Sequence, residues 1–215
     1  MEKIVGPALM DIGGQIILKF EEEDGKQKEI FFSGIRCGIS FPISDYPGYY
    51  CILGLLNGAK PGEPGSLLFL REGENDLLGD LTEAVIHEAR VLRFSEIFTD
   101  RVSPEWQGMS VSFINSIRKN NNPQYLRLRH VPFADDFHLG RDLIRKWGKN
   151  GALKIPEDSI LYQHMVNPSP ERIPESTKHS LYPINALRYV AMAFEKIPFR
   201  RHQESRSNVS NLGWT

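Results

Sequence analysis

Cysteine is nearly missing from this chain. Two residues, Cys37 and Cys51, occur in 215 positions. That excludes a disulfide scaffold and any four-cysteine zinc site. Long apolar runs are missing too: no stretch approaches the ~20 residues that a membrane span requires, so no membrane association is expected. The N-terminus, Met1-Glu2-Lys3-Ile4-Val5-Gly6, lacks the apolar segment of a signal peptide, and the expected location is cytoplasmic. Charge of one sign is not in surplus either. Lys+Arg number 26 against 27 Asp+Glu, a net charge of -1, which excludes coating nucleic acid by global charge but leaves room for a local basic groove. No His-x-x-x-His pair occurs, which argues against a histidine-based zinc site.

What is present is a succession of strand and helix patterns in one domain's length of chain. Gln15–Phe20 and Glu29–Phe32, rich in β-branched and aromatic residues, flank the turn dipeptide Asp24-Gly25 and predict a hairpin. The acidic run Glu21-Glu22-Glu23-Asp24 reads as its solvated tip. Ile35–Phe41, Tyr49–Leu56 and Leu67–Leu70 predict three strands joined by short loops. Then the period changes. Leu77, Leu81, Val85, Ala89 and Leu92 recur at helical spacing, with Asn75 or Asp76 as the cap. Ile97–Asp100 is a fourth strand, Ser103-Pro104 opens a helix to about Lys119, and Tyr125–Arg129 is a fifth strand. That strand alternates apolar and basic residues, as an edge strand does. Helices over about 136–148 and 184–197 follow, separated by a proline-punctuated stretch. The expected organisation is an N-terminal arm and hairpin over 1–33 packed on a domain over 34–199, with a polar tail over 200–215.

Three antiparallel strands followed by alternating helices and strands make an α/β fold: a mixed sheet flanked by helices, with an extra N-terminal hairpin. The RNase H-like fold shares this order. Local sequence points the same way. Gly38-Ile39-Ser40-Phe41, with Asp45-Tyr46-Pro47 and the strand after it, resembles the first motif of phage terminase large-subunit nuclease domains, roughly Gly-Ile-Asp-Phe. Ile97-Phe98-Thr99-Asp100-Arg101 resembles the second, an apolar strand ending in an acid. Pro183-Ile184-Asn185-Ala186-Leu187-Arg188-Tyr189 resembles the third, which ends Asp-Ala-Leu-Arg-Tyr. The resemblance covers about 34–196. The family's ATPase half has no counterpart here, since no Gly-x-x-x-x-Gly-Lys-Ser/Thr occurs.

The resemblance implies two-metal phosphodiester cleavage, with Mg or Mn held by acids on strand one, strand four and the last helix. Those positions are Ser40, Asp100 and Asn185, expected to gather at one end of the sheet. Only Asp100 is an acid. Ser40 offers a hydroxyl and Asn185 an amide oxygen, and neither carries the charge that offsets metal–metal repulsion. The resemblance therefore implies a degenerate active site. Asp45, Asp135 and Asp136 are candidate replacement metal ligands beside Asp100. On sequence alone a turn role for Asp45 and helix capping for Asp135 and Asp136 outweigh metal binding. Nothing marks a base or oxyanion hole for a nucleophilic Ser40.

A basic set is the second functional signal. Arg127 and Arg129 share one face of a strand, and Arg141, Arg145 and Lys149 recur every four residues on a helix. They fit a groove that tracks DNA phosphates, or a solvated face. Three readings follow. The first is a prophage-derived terminase-nuclease-like domain with weak or lost cleavage that binds double-stranded DNA, a packaging ATPase or another phage protein. The second is an active Mg- or Mn-dependent endonuclease with a remodelled ligand set. The third is a non-enzymatic interaction protein on another α/β fold.

Overall fold

The sheet is organised by one long strand. The chain's structure, a computed structural model, describes residues 3–42, 47–100, 104–119, 126–131, 137–166 and 182–195. After the short strands β1 (Lys3–Ile4) and β2 (Leu9–Met10), β3 (Ile16–Glu21) turns through Gly25, at φ 79°, into β4 (Gln27–Ser40). The turn sits where Asp24-Gly25 predicts it, and the Asp24 carboxylate accepts hydrogen bonds from the Lys26 backbone and side chain. Where sequence reading gives two strands, at 29–32 and 35–41, the structure has one. Its pairing to β5 slips at a bulge between Phe32 and Gly34 and then resumes, so the hairpin runs straight into the main sheet.

β4 shares its two edges unequally. One edge pairs antiparallel with β5 (Gly48–Leu56), which pairs with β6 (Leu67–Asn75). The other edge takes β3 along Gln27–Phe32 and then, further on, β7 (Glu96–Asp100), parallel at Cys37 and Gly38. β8 (Arg127–Val131) lies parallel to β7, and β9 (Leu153–Lys154) lies parallel to β6. The central order β6-β5-β4-β7-β8, three antiparallel strands with two parallel to the first, is the RNase H-like arrangement. Among the described residues β8 pairs with β7 alone, in keeping with its alternation of exposed and half-buried residues.

Strand alternation divides the core. Ile35, Cys37 and Ile39 of β4, with Ile52 and Ile97, pack with Leu81, Val85, Ala89 and Leu92 of α1 (Leu78–Leu92) and Phe113 of α2 (Pro104–Lys119). The opposite face presents Tyr49, Cys51 and Leu53 to α5 (Tyr182–Phe194). α3 (Phe137–Lys149) and α4 (Ile160–Val166) pack on α5 in turn. α5 is therefore enclosed, and every residue from Asn185 to Phe194 is buried, matching its nearly continuous apolar run. Cys37 and Cys51 lie on opposite faces as free thiols, and burial pushes both well above the ordinary thiol range.

Several boundaries differ from the sequence reading. Helix α1 is capped at Leu77 in extended conformation, with no side-chain cap bond. Asn75 is unavailable because β6 carries it as the partner of Gly48. β8 starts two residues later than expected. β9 and α4 carry patterns too short to register a period.

Gly38 sets the distance between sheet and helix. A Cβ there would fall on the Ala186 carbonyl and press on Val190. The carbonyl is helix backbone and cannot rotate away. Gly38→Ala is therefore expected to destabilise the fold by about 3 kcal/mol. Gly148→Ala, on α3 with open space around the added carbon, is expected to be neutral or to stabilise by up to ~1 kcal/mol. Urea denaturation of the two variants checks the contrast.

Candidate functional site at the end of the sheet

The C-terminal ends of β4 and β7 and the first turn of α5 lie at one end of the sheet. The parallel register pairs Cys37 with Ile97 and Gly38 with Phe98. β4 ends at Ser40 and β7 at Asp100, each two residues beyond the Gly38–Phe98 pair, and Asp100 is opposite Val131 of β8. α5 runs antiparallel to β4. Arg36 Nη1 donates to the carbonyl of Ala193 near the helix C-terminus, while Gly38 abuts Ala186 near its start. Ser40, on the same face as Arg36 and Gly38, therefore looks toward the first turn of α5, where Asn185 sits.

The two neutral residues differ in their satisfaction. Ser40 is 1% exposed, and its hydroxyl has no hydrogen-bond partner among the described residues. Asn185, also 1% exposed, accepts a 3.1 Å hydrogen bond at Oδ1 from Nη1 of Arg188, one turn along α5. Arg188 is itself buried, with its guanidinium over the Tyr189 ring. Its stem passes across Gly140 of α3, where any Cβ would collide with it. Arg188 belongs to the third motif, but sequence alone gives it no role at the site, because nothing in a sequence marks an arginine as buried.

Among the described residues, Ser40 and Asn185 bring no negative charge to a pair of divalent metals. An amide ligates a hard cation through its oxygen, and here that oxygen also accepts from a guanidinium. Among the described residues no three His, Cys, Asp or Glu side chains stand close enough to hold a metal ion. Asp45, Asp135 and Asp136, and the side chain of Asp100, lie outside the described residues.

A further carboxylate does structural work nearby. Glu72 of β6 accepts hydrogen bonds from the Tyr49 hydroxyl at 2.6 Å and from the backbone N–H groups of Ile160 and Leu161 at 2.7 and 3.2 Å. It caps α4 from a distant strand. Burial, the neighbouring Cys51 and the Glu72 carboxylate all push the Tyr49 hydroxyl far above the usual phenol range. Sequence reading missed this cap because its members are 23 and 88 residues apart.

The basic residues divide into two groups. Arg127 and Arg129 lie exposed on β8, but Arg129 Nε pairs with Glu96 at 3.3 Å. Arg141, Arg145 and Lys149 form an exposed stripe on α3, with Arg145 3.8 Å from Asp142. Exposed pairs of this kind contribute little stability and yield readily to competing anions.

No protein-family model and no curated protein matches the chain. Two solved structures align over most of it. The fowlpox virus resolvase, solved in complex with Holliday-junction DNA, covers 75% of this chain and 97% of its own, at 10% identity and TM-score 0.41. The large-terminase nuclease domain of bacteriophage SPP1, solved with bound Mn, covers 76% and 88%, at 15% identity and TM-score 0.43. Both are RNase H-like nuclease folds. Among the described residues no helix is long and apolar enough to cross a membrane.

Burying an unpaired hydroxyl costs free energy, and removing it relieves that cost. Ser40→Ala is expected to stabilise the protein by about 1 kcal/mol. Urea unfolding in phosphate-free buffer reads this directly, and a loss of stability would mean that the hydroxyl has a partner in solution.

Proposed function

We propose that the chain is a terminase-nuclease-like domain of prophage descent whose metal-dependent DNA cleavage is weak or lost, and which binds double-stranded DNA. The observation that carries this reading is the engagement of Asn185 Oδ1 by Arg188. At the helix position where the resembling motif places an acid, this chain has a neutral amide already turned toward a cation. Ser40 is the second neutral replacement, at the strand position. Of the three motif positions, Asp100 alone is an acid. The strand order supports the nuclease-like scaffold, and the exposed stripe of α3 supports DNA as the partner. A packaging ATPase or another phage protein is the further partner that the terminase resemblance suggests.

Nicking of supercoiled plasmid in Mg²⁺ or Mn²⁺ tests the catalytic half. Wild type and Asp100→Ala are expected to be silent, and Ser40→Asp/Asn185→Asp is expected to gain Mn²⁺-dependent nicking. Cutting by wild type that Asp100→Ala abolishes would establish instead an endonuclease with a remodelled ligand set.

Duplex binding tests the other half. Arg141→Glu/Arg145→Glu is expected to weaken binding uniformly across sequences and to lower the slope of log K against log salt by about 2. Both side chains are exposed, so the fold should be unaffected. An unchanged slope would assign the stripe to solvation alone.

A further inference from the structure

We propose that Gly148 is the point at which a DNA backbone meets α3, a gap in the basic stripe that lets the duplex come close to the helix itself. The proposal rests on the reading of that stripe as a DNA-binding surface, and it adds the residue that shapes the contact.

Gly148 has no role inside the fold. α3 does end in a glycine cap, but the cap is Gly151, at φ 64°. The Gly151 N–H donates to the Gly148 carbonyl at 3.2 Å and the Ala152 N–H to the Trp147 carbonyl at 2.8 Å, the paired bonds of a helix that closes on a left-handed residue. Gly148 lies within the helix, where glycine is the least favourable residue after proline. Packing does not call for it either. A Cβ at Gly140 of the same helix would collide with the stem of Arg188, whereas a Cβ at Gly148 would meet nothing within 4 Å.

Its neighbours define what that open space faces. Arg141 and Arg145 precede Gly148 by two turns and one turn, so all three share a face of the helix, and Lys149 continues the stripe beside it. All four are exposed. Among the exposed residues of α3 that the structure describes, Asp142 is the one acid against Arg141, Arg145, Lys146 and Lys149. Two other helical glycines stand in open space, Gly79 of α1 and Gly108 of α2. Gly79 has Asp80 and Glu83 beside it, and Gly108 has Val111 and Ser112 one turn on. Of these three, Gly148 is the one where bare helix backbone lies among cations.

Bare backbone ringed by long basic side chains fits a sugar–phosphate chain. The arginines and the lysine reach phosphates from the rim, and the absent side chain leaves room between them. Glycine serves in this way wherever a backbone and a ligand must approach closely. A lipid surface fits less well, because Arg141, Arg145, Gly148 and Lys149 offer no apolar side chain to insert.

Duplex binding by the full chain across a salt series tests the contact, with Gly148→Ala, Gly148→Leu and Gly79→Leu beside wild type. Alanine and leucine both favour a helix over glycine, so a loss of binding is not a loss of fold, and urea denaturation verifies this. Gly148→Leu is expected to weaken duplex binding about tenfold and Gly148→Ala about two- to threefold. The slope of log K against log salt should stay unchanged, because no cation is lost. Gly79→Leu should bind as wild type does. Wild-type affinity in Gly148→Leu would overturn the proposal and leave the stripe as a DNA surface. An equal loss in Gly79→Leu would show that the effect is not one of contact and would also overturn it. Absence of duplex binding in wild type would overturn this proposal and the DNA reading together, and uptake on phosphatidylserine vesicles would then assign the stripe to a membrane.

Discussion

The close approach of α5 to β4 is the constraint on which the rest of the structure depends. Two glycines permit it from opposite sides. Gly38 lets the backbone of α5 rest on the strand, and Gly140 lets the stem of Arg188 pass between α5 and α3. A helix enclosed in this way needs apolar residues all round, and α5 has them, in Ala186, Leu187, Val190, Ala191 and Phe194. Its C-terminal end is tied down by Arg36, which donates to the Ala193 carbonyl and lies over the Phe98 and Phe194 rings. Desolvation lowers the Arg36 pKa, and Glu96 works against that shift. With one end anchored and the middle in backbone contact, the first turn of α5 has a fixed place beside the end of β4. The position of Asn185 thus follows from packing, whatever chemistry it performs.

Within that frame, electrostatics decides what the centre can hold. Burying a guanidinium is costly unless hydrogen bonds replace its water. Asn185 supplies one of those bonds but no charge. An aspartate at the same place would supply both, and would leave a second carboxylate oxygen for a metal. The amide has a single oxygen, which accepts from Arg188 and carries no net charge. One atom, nitrogen in place of oxygen, removes the negative charge at this position and puts an NH₂ donor there. Ser40 acts in the same direction, since a hydroxyl brings neither the charge nor the bidentate reach of an aspartate.

The parts of the fold legible in the sequence were those with a strong local signal. The hairpin turn at Asp24-Gly25, the apolar strand at 49–56 and the spacing of Leu81, Val85, Ala89 and Leu92 each announce their element. Strand order followed from the succession of types, because short connections leave few topologies. What stayed hidden depends on contacts distant in sequence. The continuity of β4 across 33–34 is held by β5 pairing on both sides of a bulge. The cap of α4 comes from Glu72 on another strand, and the cap expected of Asn75 fails because β5 claims that residue. The positions of Ser40, Asp100 and Asn185 could be named from motif likeness, but the hydrogen bond from Arg188 could not. It exists only because α3 and the sheet close around α5.

The same logic bears on how the surface and the centre divide their work. The stripe of α3 lies on solvent-exposed residues, so its field on any anion is screened by salt and indifferent to geometry. The donors at the end of β4 are buried, so they act only at contact, but there in a medium that screens them far less. The scaffold keeps the RNase H-like strand order, and at two of the three motif positions, Ser40 and Asn185, it carries no negative charge.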